Sequence, residues 1–127
     1  MRVFENGGTY SDRLNVVDQN NVLVGFDYSG QCCERFGYYF TRVLPSVVND
    51  SEEGAPEFNH EDYFFDVGFM EDISVGEYED GGAVAFKLVN EDGDEIYLVL
   101  YNHQNGYYSH GFNMVDKKDK VIFSGSI

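Results

Sequence analysis

The sequence predicts a small, mainly β (or α+β) protein with at most one or two short helices, and three observations lead to this expectation. Eleven Phe and ten Tyr, with no Trp, supply large apolar side chains that favour strands. Fourteen Gly and only two Pro provide many places where the chain can turn. Short runs of alternating apolar residues recur between turn signals. At 127 residues we expect one domain, 1–127, with its own core.

The N-terminal part predicts a strand followed by a hairpin. The apolar pair Val3-Phe4 precedes the turn signal Asn6-Gly7-Gly8. Residues 14–17 and 22–26 then flank the polar run 18–21, whose Asp and Asn residues tolerate tight turns. Apolar side chains at every second position of the second strand predict one buried face, made of Val22, Val24, Phe26 and Tyr28.

The next stretch is ambiguous in secondary structure. Cys33, Phe36 and Phe40 have helical spacing, whereas residues 38–41 are typical of a strand, so a short helix and a bent strand both fit. Residues 43–62 contain both prolines and few apolar residues, which predicts a surface loop.

From residue 63 onward the pattern again favours strands. Residues 63–69 and 73–75 form two apolar runs, and the last 45 residues predict a four-strand antiparallel meander with turns near residues 91–94, 105–106 and 117–120. Alternation along the meander predicts a half-buried sheet whose inward side chains are Phe86, Leu88, Ile96, Leu98, Leu100, Tyr108, His110 and Phe112.

The net charge of the chain limits which classes of molecule it can bind. Twenty-three Asp and Glu against eight Lys and Arg give a formal net charge of −15. Such a surface repels nucleic acid and anionic membranes, because both are bound through Lys and Arg. We therefore expect no direct nucleic-acid or membrane binding, and partners with basic surfaces instead. The alternative is that the acidity serves only solubility.

The acidic residues concentrate in what we call the acidic segment, residues 49–80, which holds twelve Asp or Glu and no Lys or Arg. Three of the eight basic residues lie together at Lys117, Lys118 and Lys120. Spaced carboxylates with aromatic anchors can occupy a Lys/Arg groove meant for nucleic acid. The candidate carboxylates are Asp50, Glu52, Glu53, Glu57, Glu61, Asp62, Asp66, Glu71, Asp72, Glu77, Glu79 and Asp80. The candidate anchors are Tyr63, Phe64, Phe65, Phe69 and Tyr78.

Catalytic and metal sites have weaker support. Cys32, Cys33, His103 and His110 are the residue types that bind zinc, but no C-x₂-C spacing is present and adjacent cysteines on a strand point to opposite faces. The sequence contains no phosphate-binding loop, dinucleotide fingerprint or nucleophile elbow. We predict no catalytic residue, no metal and no cofactor. A Cys/His or metal-dependent enzyme is kept as an alternative.

The adjacent cysteines also bear on location. Neighbouring Cα atoms lie about 3.8 Å apart, closer than most disulfides require, so the sequence predicts two free thiols. Residues 1–8 contain no apolar leader. Both observations favour a cytoplasmic protein.

Two stretches resemble a known group of proteins. Residues 14–27 together with Cys32-Cys33-Glu34, and residues 101–112 (YNHQNGYYSHGF), are similar to a family of small, uncharacterised bacterial and phage proteins. The resemblance implies a compact β-rich fold and a bacterial or mobile-element origin. The family carries no assigned activity, so the resemblance transfers no functional residue, and the acidic segment would be where this member differs.

Three functional hypotheses follow. The first is an acidic inhibitor that blocks the basic nucleic-acid-binding surface of a partner, as a phage DNA mimic directed at a CRISPR effector or a restriction enzyme. The second is an immunity protein that neutralises a basic toxin such as a nuclease. The third is the enzyme described above. We expect a monomer or a weak dimer, because exposed strand edges favour pairing and the net charge opposes it.

Overall fold

The computed structural model describes residues 2–7, 12–28, 35–48, 62–76, 80–104 and 109–127. Within these ranges the chain forms nine strands and no helix. The strands are β1 (Arg2–Gly7), β2 (Asp12–Val17), β3 (Leu23–Asp27), β4 (Arg35–Thr41), β5 (Phe64–Ile73), β6 (Asp80–Val89), β7 (Glu95–Gln104), β8 (Gly111–Val115) and β9 (Val121–Ser126). The prediction of a mainly β protein is confirmed.

The strands form two antiparallel sheets. The five-stranded sheet has the order β1-β2-β3-β8-β9, and the four-stranded sheet has the order β4-β7-β6-β5. Every neighbouring pair in both sheets is antiparallel. Three pairs of strands are joined by five-residue turns, at residues 18–22, 90–94 and 116–120.

The main hydrophobic core lies between the two sheets. Aromatic rings from both sheets meet there, and the ring centroids of Phe86 and Phe112 are 6.0 Å apart. On the predicted inward face, Val22, Val24 and Phe26 are buried, and Tyr28 is half-buried against the same core. The fully buried members from β6, β7 and β8 are Val84, Phe86, Leu88, Ile96, Leu98, Leu100 and Met114.

A second cluster covers the outer face of the four-stranded sheet. Residues that alternate with the main core, such as Ala85 and Val99, are buried under Leu44 and Val48. The backbone N–H of Val48 donates to the carbonyl of Ser74 at 2.8 Å, which holds residues 42–48 against the end of β5. The four-stranded sheet is therefore covered on both faces in this region.

The expected C-terminal meander is corrected by the sheet order. The four strands form two hairpins, β6–β7 and β8–β9, which belong to different sheets. Strand β7 is already paired on both sides, with β4 and β6, so β8 pairs with β3 instead. Alternating apolar residues identify the buried face of a strand but do not specify its neighbour.

The structure also shows the form of two further regions, the described part of residues 31–42 and the apolar runs 63–69 and 73–75. The described part of residues 31–42 is a strand, β4, with Phe36 and Phe40 on the same inward face. The runs 63–69 and 73–75 belong largely to one long strand, β5, whose pairing with β6 shifts register between Phe65 and Met70. No helix in the described ranges is long and apolar enough to cross a membrane.

Candidate functional site

Three hairpin turns lie close together at one end of the two packed sheets, and we call this surface the turn end. It consists of the turns at residues 18–22, 90–94 and 116–120. The first and third turns are neighbours because Leu23 of β3 pairs with Val115 of β8. The first and second turns line a common cleft of about 320 Å³, which also contains Asp62 and Phe64. The turn end is therefore built from both sheets.

Each of the three turns is held by the same hydrogen bonds. The side-chain Oδ1 of the first residue accepts from the backbone N–H groups two and four positions later. Asp18 accepts from Asn20 and Val22, both at 2.9 Å. The corresponding distances are 3.0 and 2.9 Å at Asn90, and 2.8 and 2.9 Å at Asp116. Side-chain acceptors of this kind fix the backbone of a turn.

The fourth residue of each turn has a left-handed backbone. Its φ is 59° at Asn21, 84° at Gly93 and 62° at Asp119. Gly, Asn and Asp are the residues that adopt this conformation at least cost. The three turns therefore share a sequence rule, with Asp or Asn at the first position and Gly, Asn or Asp at the fourth. The sequence-based prediction treated these stretches as polar turns and did not identify this rule.

Asp18 differs from its two counterparts because it is buried, at 4% exposure. Its second oxygen, Oδ2, accepts the backbone N–H of Phe65 at 2.9 Å. The carboxylate thus joins a hairpin of the five-stranded sheet to β5 of the four-stranded sheet. Sequence analysis missed this role, since the sequence does not show which distant N–H faces the second oxygen.

Asp116 is half-buried and lies in the basic turn. Hydrogen bonds from the backbone N–H groups of Lys120 and Lys118 lower the pKa of its carboxyl group, and the two lysine charges act in the same direction. The carboxylate therefore remains ionised at neutral pH, beside the lysines that follow it in sequence.

Carboxylates dominate the cleft between the first and second turns. Asp62, Glu91 and Asp92 are exposed, and the half-buried Phe64 contributes an apolar wall. In the described ranges no group of three or more His, Cys, Asp or Glu side chains is arranged to hold a metal ion. The cleft is a negative surface feature without the geometry of a metal site.

The described part of the acidic segment centres on β5. This strand is an edge of the four-stranded sheet, and within the described ranges no strand pairs with its other side. Glu71 and Asp72 are exposed, and their alternation places them on opposite faces. Asp66 is half-buried beside the register shift, and its Oδ1 accepts the N–H of Gly68 at 2.9 Å. Asp80 begins β6 opposite Gln104.

The other predicted carboxylates and one predicted anchor lie outside the described residues. They are Asp50, Glu52, Glu53, Glu57, Glu61, Glu77, Tyr78 and Glu79.

The aromatic anchors need a correction. Tyr63 is only 5% exposed and Phe65 only 6%, and both pack in the main core. Their rings are therefore not presented to a partner. Apolar residues in an acidic run were expected to serve recognition, but an edge strand must bury one of its faces, and these two side chains occupy that face.

The remaining described aromatic of β5, Phe69, packs against a cation. Its ring centroid lies 4.5 Å from Nζ of Lys87, which also makes an ion pair of 3.6 Å with Glu95. Burial raises the pKa of Tyr97 in the same cluster, and a hydrogen bond to Glu95 and the charges of Glu95 and Glu71 add to this effect. Lys87 therefore contacts Phe69 and Glu95 on the outer face of the sheet.

The candidate zinc and nucleophile residues are not brought together where the structure describes them. His103 lies on the outer face of β7, with its ring centroid 5.6 Å from that of Tyr101. His110 is buried between the sheets, where its ring stacks 4.5 Å from Phe36 and Nδ1 donates to the carbonyl of Asp27 at 2.6 Å. The two rings therefore lie on opposite sides of the four-stranded sheet. Cys32 and Cys33 lie outside the described residues.

Comparison with known proteins found no matching family model, no matching curated protein and no matching solved structure. The charge and geometry of the chain itself are therefore the basis for a functional proposal.

Proposed function

We propose that this protein binds the basic, nucleic-acid-binding surface of a partner protein through its acidic segment and thereby blocks that surface as a DNA mimic. The concrete form is a cytoplasmic phage inhibitor of a CRISPR effector or a restriction enzyme. The observation that carries the proposal is β5, which has no strand partner on one side within the described ranges and carries the exposed Glu71 and Asp72 and the half-buried Asp66.

Electrostatics favours such an encounter. The protein carries a net charge of −15, and the acidic segment contributes twelve carboxylates without a single Lys or Arg. A concentrated field of one sign speeds association with an oppositely charged groove and excludes partners of like charge. The described carboxylates of β5 are held on a sheet, so they lose less conformational entropy on binding than carboxylates on a free chain would.

The form of β5 also indicates how a partner would make contact. Exposed strand edges invite pairing with another strand, and charged side chains and bulges are the usual protection against it. Strand β5 has both, with a register shift after Phe65 and carboxylates at Glu71 and Asp72. We therefore expect contact through side chains and not through an added strand.

An immunity protein that neutralises a nuclease toxin would need the same charge pattern. The identity of the bound partner separates the two forms of the proposal. A defence effector supports the phage inhibitor, and a single cognate toxin supports the immunity protein.

The test uses two triple variants of equal charge. Asp66→Asn/Glu71→Gln/Asp72→Asn removes the described carboxylates of β5. Glu5→Gln/Glu91→Gln/Asp119→Asn removes three exposed carboxylates outside the acidic segment and serves as the matched control. Each tagged protein is incubated with bacterial lysate, washed with increasing salt, and the retained proteins are identified by mass spectrometry. The captured partner is then purified, and its binding to DNA or RNA is measured with each protein present.

We expect wild type and control to retain the same nucleic-acid-binding partner and to inhibit it. The β5 variant should need a concentration about tenfold higher or more for equal inhibition, since several charge pairs are lost. Equal loss in both variants would show that net charge alone is responsible. A captured partner that still binds nucleic acid normally would reject the inhibitor function.

A further inference from the structure

A groove at the turn end is lined by residues of net positive charge, whereas the molecule as a whole is strongly negative. It lies between the turns at residues 18–22 and 116–120 and has a volume of about 490 Å³. One wall carries the amide side chains of the first turn, and the other carries two lysines. The lining residues are Gln19, Asn20, Asn21, Val22, Asp116, Lys117 and Lys118.

The charge of this lining is positive by one. The lining residues include two lysines, Lys117 and Lys118, and one acid, Asp116. The backbone N–H groups of Lys118 and Lys120 donate to Oδ1 of that carboxylate and fix its position in the turn. This lining contrasts with the net charge of −15 of the whole molecule.

Both walls of the groove are fixed before any ligand binds. Asp18 and Asp116 lock their turns by the same pair of backbone hydrogen bonds. Asp18 is also fastened to β5 through the N–H of Phe65. A rigid groove lowers the entropic cost of binding, which matters for a ligand that makes only a few polar contacts.

We propose that this groove binds an acidic peptide segment, with one side-chain carboxylate between Lys117 and Lys118 and the peptide backbone against the amides of Gln19, Asn20 and Asn21. A single net positive charge suits a monoanion such as a carboxylate, whereas Asp116 repels a second negative charge. Asn and Gln side chains offer both a donor and an acceptor, as a peptide backbone requires. The ligand class is opposite in charge to the basic partner of the acidic segment, so this site does not depend on the function proposed above.

The test uses a probe with one carboxylate, the tripeptide acetyl-Gly-Glu-Gly-amide, and its neutral glutamine analogue. Backbone amide shifts of the ¹⁵N-labelled protein are followed at 0.15 M salt, where repulsion by distant charges is screened beyond about 8 Å. We expect saturable shifts at residues 19–22 and 116–118 with the glutamate peptide and none with the analogue. Exposed ion pairs are weak, so the dissociation constant should be about 1–50 mM.

Two variants of equal charge make the result specific. Lys117→Gln/Lys118→Gln removes the lysines that line the groove, and binding should weaken about fivefold or more. Arg2→Gln/Arg42→Gln removes two exposed positive charges that do not line it, and binding should stay within about twofold of wild type. Absence of saturable shifts, equal shifts with the glutamine analogue, or equal weakening in both variants would overturn the proposal. Tighter binding of inorganic phosphate than of the peptide would overturn the choice of a carboxylate ligand.

Discussion

The turns that begin at Asp18 and Asp116 share their local structure and differ in their surroundings. In both, Oδ1 accepts the backbone N–H groups two and four residues later. In the first turn the carboxylate is buried, and its Oδ2 accepts the N–H of Phe65 from the other sheet. In the second turn Asp116 is only half-buried, and lysines follow it in sequence. One hydrogen-bond pattern therefore shapes a turn in both places and joins the two sheets in only one.

The difference shows that the side chain at the first position of such a turn can stabilise the fold in two ways, locally within the turn and through a tertiary contact. Mutation can separate the two contributions. The local component is the cost of losing the two bonds within the turn, which are exposed at Asp116 and partly or fully buried at Asp18. The tertiary component is the cost of leaving a buried N–H without an acceptor, which is larger. Substitutions at equivalent positions of the two turns measure each component.

The largest effect is expected for Asp18→Ala. Three backbone N–H groups lose their acceptor, and the bonds from Val22 and Phe65 are both buried. We expect the free energy of unfolding to fall by about 3 kcal/mol. Urea denaturation followed by circular dichroism measures the change.

Asp116→Ala is the matched control, because it removes the same two turn bonds without exposing a buried donor. Its loss of stability should be clearly the smaller of the two. Equal losses would mean that the Asp18 bond to Phe65 contributes nothing and that both residues act only within their turns.

Asp18→Asn isolates the tertiary bond. The amide oxygen can replace Oδ1 in the turn, as it does naturally at Asn90, but the amide nitrogen then faces the N–H of Phe65. Two donors oppose each other, and we expect a loss of about 1–2 kcal/mol. Hydrogen exchange should show faster exchange at Phe65 N–H than at Val22 N–H. Equal acceleration at both would indicate that the whole hairpin has loosened.

Gly93→Ala tests the left-handed position. No atom lies within 4 Å of the added Cβ and φ is 84°, so the effect comes from the backbone alone. An L-residue in this conformation costs about 1–2 kcal/mol, partly offset by the lower entropy of the unfolded chain. We expect a net loss of about 1 kcal/mol in thermal or urea unfolding. Gly93→Asn should be close to neutral, because Asn21 holds this position in the first turn. A neutral alanine variant would contradict the shared turn rule.

Sequence patterns predicted the strands and their buried faces better than the sheet in which each strand lies. Alternation placed Phe86, Leu98 and Phe112 in the core, which is confirmed. It did not show that β7 pairs with β4, because that pairing joins residues about sixty positions apart. The same limit applies to the candidate site. The residue types at Asp18, Asn90 and Asp116 already follow the turn rule. The burial of Asp18 could not be predicted from them, because it depends on where β5 lies in the fold.

The smallest effect is a pH dependence confined to the exposed turn. The N–H groups of Lys120 and Lys118 lower the pKa of Asp116 in the folded state. The resulting stabilisation is complete above the unfolded pKa, near pH 4, and is lost as the pH falls through the folded value. The difference in Tm between wild type and Asp116→Asn should therefore shrink between pH 7 and pH 3. Asp119→Asn removes the same charge from the same turn and corrects for general repulsion. If the Asp116→Asn difference were as large at pH 3 as at pH 7, the stabilisation would not come from the charge of the carboxylate.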